Sequence, residues 1–157
     1  MWTRSFIISA AADMPDLQMV TQRLLRNPTD FATELRKYYG NANADRFEDL
    51  LREHLLIAAD LVNAAKAENT QEANEQREIW YQNADDIAEF LAGINPNWSV
   101  TEWRNMLYDH LQITEGLAEL RLTNEFERDI AQSDDIENQA LMMADKMAEG
   151  ILKQFNI

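Results

Sequence analysis

The sequence predicts an all-α fold built around an up-down-up-down four-helix bundle. Ala, Leu, Glu, Gln, Met and Arg dominate, while Gly (4) and Pro (3) are scarce, which is a helix-former composition. Apolar residues recur at three- and four-residue spacing over long stretches. Short polar turns join those stretches and force consecutive helices to lie antiparallel. The 157 residues make one ordinary domain, long enough to bury a single core. Its parts are short helices over 1–40, a first hairpin over 43–92 and a second over 99–155.

Trp2 to about Ala12 reads as a short first helix. Phe6-Ile7-Ile8-Ser9-Ala10-Ala11-Ala12 follows a single Arg, too short and too weakly charged for a signal peptide. Asp13 and Pro15 punctuate, and Pro15 opens a second helix to Arg26. Asn27-Pro28-Thr29-Asp30 repeats the signal with an Asn cap, Pro at the first position and an acid in the first turn. That third helix carries Phe31, Leu35 and Tyr38 on one stripe and stops at Gly40. Tyr38-Tyr39, Trp2 and Phe6 offer either a homodimer face or a cap on the bundle.

The first hairpin climbs from about Asn43 to Ala67 with Phe47, Leu50, Leu51, Leu55, Ala58, Leu61, Val62 and Ala65 inward. It turns at Glu68-Asn69-Thr70 and returns to about Ala92 with Ile79, Trp80, Ala84, Ile87, Ala88 and Leu91 inward. Gly93 to Asn97 breaks it. Ser99 and Glu102 then form a capping box, and Trp98 with Trp103 a hydrophobic staple, which accounts for both tryptophans without a ligand. The second hairpin carries Trp103, Met106, Leu107, Leu111, Leu117 and Ala118, turns near Thr123-Asn124, and returns with Phe126, Ile130, Leu141, Ala144, Met147, Ala148, Ile151 and Phe155 inward. Met142, Met143 and Met147 read as core filler.

The net charge is −14, of which residues 41–157 carry −15 and residues 1–40 carry +1. So acidic a surface disfavours nucleic acid and anionic membranes and suits a soluble cytoplasmic protein or a basic protein partner. With no Cys, disulfides and thiol catalysis are excluded. No apolar run reaches the ~20 residues of a membrane span.

The two histidines share one frame. Glu53-His54-Leu55 matches Asp109-His110-Leu111, and Asp85-Asp86-Ile87 matches Asp134-Asp135-Ile136, which suggests an internal duplication. The separations, 31 residues (54 to 85) and 24 (110 to 134), differ by seven, or two helical turns. Both histidines sit on apolar stripes and point inward. With turns near residues 69, 96 and 123, His54 faces about residue 84, and His110 faces about 83 and 136. Asn83, Asp85, Asp86, Asp134 and Glu137 therefore approach the height of the imidazoles, with Asp85 facing out.

Two imidazoles and carboxylates at one level are ligand types for Zn, Mn or Fe. The candidate ligands are His54, His110, Glu137, Asp86 and Asp134, with Asn83 orienting an imidazole. The Glu-x-x-His di-iron pattern is absent, because Glu53 and Asp109 directly precede their histidines and point about 100° away. The alternative is a hydrogen-bonded core layer that only sets register, with no metal, in an acidic interaction module. No phosphate loop, nucleophile elbow or zinc-protease motif is present, and the fold alone selects no reaction.

The stretches LLREHLLIAADLVNAAKA and WYQNADDIAEFLAGINPNWS resemble a family of small helical proteins from Gram-positive bacteria, over nearly the whole chain. The resemblance implies the helical fold and no defined activity; a kinase label attached to some relatives has no support in these residues. Relatives carry a further acid and His just before the segment matching Trp2-Thr3-Arg4. This implies a third inward imidazole, which the sequence starting at Met1 does not contain.

Overall fold

The computed structural model describes residues 2–157, and every regular element among them is a helix. The helices are α1 (Trp2–Ala11), α2 (Leu17–Leu24), α3 (Asn27–Lys66), α4 (Thr70–Ile94), α5 (Val100–Leu122) and α6 (Phe126–Phe155).

The helix that opens at Asn27 stops at Gly40, as expected: the glycine's φ of 74° and ψ of 177° are non-helical, and a second helical segment starts directly after it, so α3 is two helices run together across a kink. Thr29 meets Glu48 and Arg36 meets Asp45 across that point. Asn27 does not cap α3. Pro28 holds the first turn, and the Asn27 Oδ1 accepts from Arg23 Nη1 at 2.8 Å. At α5, the Ser99 hydroxyl accepts from the Glu102 amide at 3.4 Å, and Trp98 meets Trp103 edge-on with ring centroids 6.0 Å apart. The Glu102 carboxylate turns to Lys146 on α6 at 2.6 Å.

Sequential long helices pair with opposed directions. His54 meets Asn83 and Phe47 stacks on Phe90 across α3 and α4. Arg77 meets Glu115 and Asp85 meets Arg104 across α4 and α5. Glu102 meets Lys146, and the Ile113 carbonyl meets Gln132, across α5 and α6. In each pair one partner's number rises as the other's falls, which is the antiparallel register. The main core runs through Phe47, Leu50, Ile57, Trp80, Ile87, Leu91, Trp98, Trp103 and Leu111. A second core joins Phe6, Ile7, Val20 and Leu24 of the short helices to Val62, Leu117 and Ile136.

α6 departs most from expectation. Phe126, Ile130, Leu141 and Phe155 are exposed, as are Ala144 and Ala148, whereas the buried face carries Asp129, Ile136, Gln139 and Gly150. Ile79, expected inward on α4, is also exposed. The reason is coverage. α6 packs mainly on α5, while α1 leans on α3 and α5, so one stripe of α6 is covered; Met143, Met147 and Ile151 lie half-buried beside it against the main core, and the apolar residues farther round meet solvent. No helix among the described residues is long and apolar enough to cross a membrane.

Candidate functional site

His54 projects from α3 and is buried; His110 projects from α5 and is partly buried. His54 Nδ1 lies 2.7 Å from the Asn83 Oδ1, and the Asn83 Nδ2 donates to the Leu50 carbonyl at 3.2 Å. His110 Nδ1 lies 2.8 Å from the Gln139 Oε1, and the Gln139 Nε2 donates to the Met106 carbonyl at 2.7 Å. A backbone carbonyl only accepts, so each amide must turn its NH2 toward that carbonyl and its oxygen toward the ring. Each imidazole therefore donates from Nδ1–H and keeps a lone pair on Nε2.

The two arrangements repeat at constant spacing. In each hairpin the amide lies 29 residues after its histidine and 33 after the carbonyl it anchors to. Each carbonyl belongs to the residue four before its histidine, one helical turn back. The turns match too. Glu68 and Asn124 both take positive φ, at 56° and 62°. The Asn69 amide donates to the Ala64 carbonyl at 3.0 Å as the Glu125 amide donates to Leu120 at 2.8 Å.

Of the candidates read from the sequence, His54, His110 and Asn83 come together. Asp86, Asp134 and Glu137 do not, since all three are exposed and Asp86 accepts from Gln82 on its own helix at 3.1 Å. The inward face of α4 runs through Asn83, Ala84 and Ile87, and that of α6 through Ile136 and Gln139. A residue one position off such a face points about 100° away from it. Asp85 accepts from Arg104 at 2.6 Å and from the Tyr108 hydroxyl at 3.1 Å, in an ion pair at the α4–α5 seam. Gln139 went unread because matching the two acidic pairs aligned the hairpins seven residues out of register.

Both histidines line one cavity of about 380 Å³, with Leu51, Leu55, Leu107, Leu117, Trp103 and Met143 among its walls. No carboxylate lines it, and its one charged wall residue, Arg4, is paired with Asp129 at 2.9 Å. Trp103 also has a buried Nε1 with no hydrogen-bond partner among the described residues. Burial lowers the His54 pKa to about 4, against the raising effect of its bond to Asn83, and nearby His110 lowers it further. Burial lowers His110 as well, opposed by Gln139. Both rings are thus neutral at physiological pH, the protonation state a metal ligand needs. Among the described residues no three or more His, Cys, Asp or Glu side chains gather as a metal site. Met143 and Met147 stand on the same cavity wall, and their thioethers are soft ligands.

Comparison with family models, curated proteins and solved structures finds no match to the chain.

Proposed function

We propose that this chain is a metal-binding four-helix bundle of up-down-up-down form, in which His54 and His110 bind one transition-metal ion through Nε2. One observation carries the reading: two imidazoles with Nδ1–H fixed on amide oxygens keep Nε2 lone pairs on one shared cavity. Metal-ligating histidines have the same arrangement, with the far ring nitrogen donating to an oxygen that sets tautomer and orientation. A cavity without carboxylates disfavours hard ions such as Mn²⁺ and favours Zn²⁺ or copper, with Met143 or Met147 as soft neighbours. Two protein imidazoles leave coordination positions open, as in a reactive site and unlike a closed structural one.

The same reading takes the α3–α4 and α5–α6 hairpins as copies of one ancestral hairpin. It is supported by the offset of 56 residues that carries His54 to His110 and Asn83 to Gln139. The metal would then sit between the two copies, with one imidazole from each.

Calorimetric titration of zinc and of copper into dialysed protein tests the proposal. Uptake is expected in the parent chain and in the triple variant Asp86→Asn, Asp134→Asn, Glu137→Gln. It is expected to vanish in His54→Leu/His110→Leu. Undiminished uptake by the double variant overturns the reading. No uptake by the parent leaves the alternative, an interaction module whose polar layer only sets register.

A further inference from the structure

The cavity is far larger than a metal ion requires, and its walls describe a second occupant. We infer that it holds an elongated, mostly apolar molecule bearing a hydroxyl or N–H donor. The inference rests on the cavity and not on the metal.

Two acceptors on this mostly apolar wall, which also carries Thr3, Arg4, Asn27 and Thr114, have no hydrogen-bond partner among the described residues. The Nε2 atoms of His54 and His110 accept only, because each ring's proton is committed at Nδ1. Acceptors left unpaired beside apolar walls are costly, so these two specify what fits. The occupant offers a hydroxyl or N–H donor to an imidazole Nε2.

Leu51, Leu55 and Leu107 make aliphatic walls that match a hydrocarbon body. An ionised carboxylate has no donor to offer the imidazole Nε2 atoms, so a hydroxyl or N–H head is the better fit.

Chelator-treated full-length protein titrated with octan-1-ol, octane and octanoate tests this. Octan-1-ol adds a single hydroxyl to octane, so the hydrogen bond it donates to an imidazole Nε2 is what separates the two. It is expected to bind at least about tenfold more tightly than octane, which corresponds to about 1.4 kcal/mol. Octanoate is expected to bind more weakly than the alcohol. The imidazole Nε2 nitrogen resonances of both histidines are expected to move with octan-1-ol and to stay in place with octane. Ala140→Phe, which fills the cavity from α6, abolishes binding; where that variant misfolds, Leu107→Trp serves the same purpose from α5. Equal affinity for alcohol and alkane, preference for octanoate, alcohol binding that needs added metal, or binding that survives cavity filling each overturns the inference. Failure of zinc and copper uptake does not touch it, so the two readings fail separately.

Discussion

Asn83 lies 29 residues from His54 in sequence and 2.7 Å from it in space, Oδ1 against Nδ1, and its other arm is tied to the backbone one turn below that histidine. Gln139 does the same for His110. Each amide spans a ring and a backbone carbonyl; the carbonyl already accepts within its own helix, so the ring N–H is the group that depends on the amide.

Replacing Asn83 by Leu leaves the buried His54 Nδ1–H unpaired, while the Leu50 carbonyl keeps its helical partner, the His54 backbone amide, within α3. A buried group left so costs about 1–3 kcal/mol. Urea denaturation is expected to show a loss of that size. The double variant His54→Leu/Asn83→Leu is expected to lose less than the sum of the two single changes, because the stranded ring is gone as well. Strict additivity would show that the bond does not couple these residues.

Acid is expected to destabilise the protein before its carboxylates titrate. The folded pKa of His54 is about 4, below its ordinary 6.5. Between those values the unfolded chain holds more protons, so stability rises with pH. This contribution is complete above about pH 6.5 and is lost as pH falls toward 4, on the order of 3 kcal/mol at about 1.36 kcal/mol per pH unit. His110, also lowered, adds in the same direction. Urea midpoints at pH 7.0 and 5.5 check it, and His54→Leu is expected to flatten the difference. A midpoint in the parent chain that does not fall with acid would show that His54 is not held neutral.

The helices and the inward histidines were legible because periodicity reports which stripe of a helix is apolar. His54 and Asn83 were placed correctly because the first turn lies where its polar residues put it, at Glu68-Asn69. His110 was set against residue 136 instead of Gln139, three residues short, because its turn sits at Asn124-Glu125 rather than near Thr123. Spacing alone also cannot say how much of a stripe a neighbour covers. Ile130 and Leu141 share α6's periodicity but lie where no helix packs over them, and Glu137 falls outside the covered face with them. The cavity was not legible at all, since it forms only where residues of α1, α3, α4, α5 and α6 meet. Trp103, explained fully by its staple with Trp98, is one of its walls.

Gly150 marks a contact of a different kind. A Cβ at this position would overlap the Trp98 Nε1, and Trp98 is itself buried. Gly150→Ala is expected to cost at least the 1–3 kcal/mol typical of overpacking, or about 2–4 °C in Tm per kcal/mol for a chain of this size. Gly93→Ala is the control, because nothing lies within 4 Å of its Cβ position, and it is expected to be neutral or slightly stabilising. Equal melting temperatures for the two variants would show that the Trp98 indole yields.

Asp129 holds the N-terminal helix to the second hairpin. It is 1% exposed, and its Oδ2 accepts from Arg4 Nη2 at 2.9 Å and Arg121 Nη1 at 3.5 Å. Arg4 belongs to α1, Arg121 to α5 and Asp129 to α6, so one carboxylate joins three elements. Arg121 has a second support in the Phe126 ring, 4.6 Å from its guanidinium carbon. Breaking such a pair leaves charge without compensation and costs about 3–5 kcal/mol. Asp129→Asn keeps the shape and removes the charge, so both guanidiniums lose their counterion. Part of the loss is expected to be local. α1 makes one wall of the cavity through Trp2, Thr3, Arg4 and Ile7, and releasing it would open that wall. Hydrogen exchange is expected to speed up in residues 2–11 more than in α4, and octan-1-ol affinity to fall with it. Uniform acceleration across all helices would mean that Asp129 supports the fold as a whole and does not anchor α1 in particular.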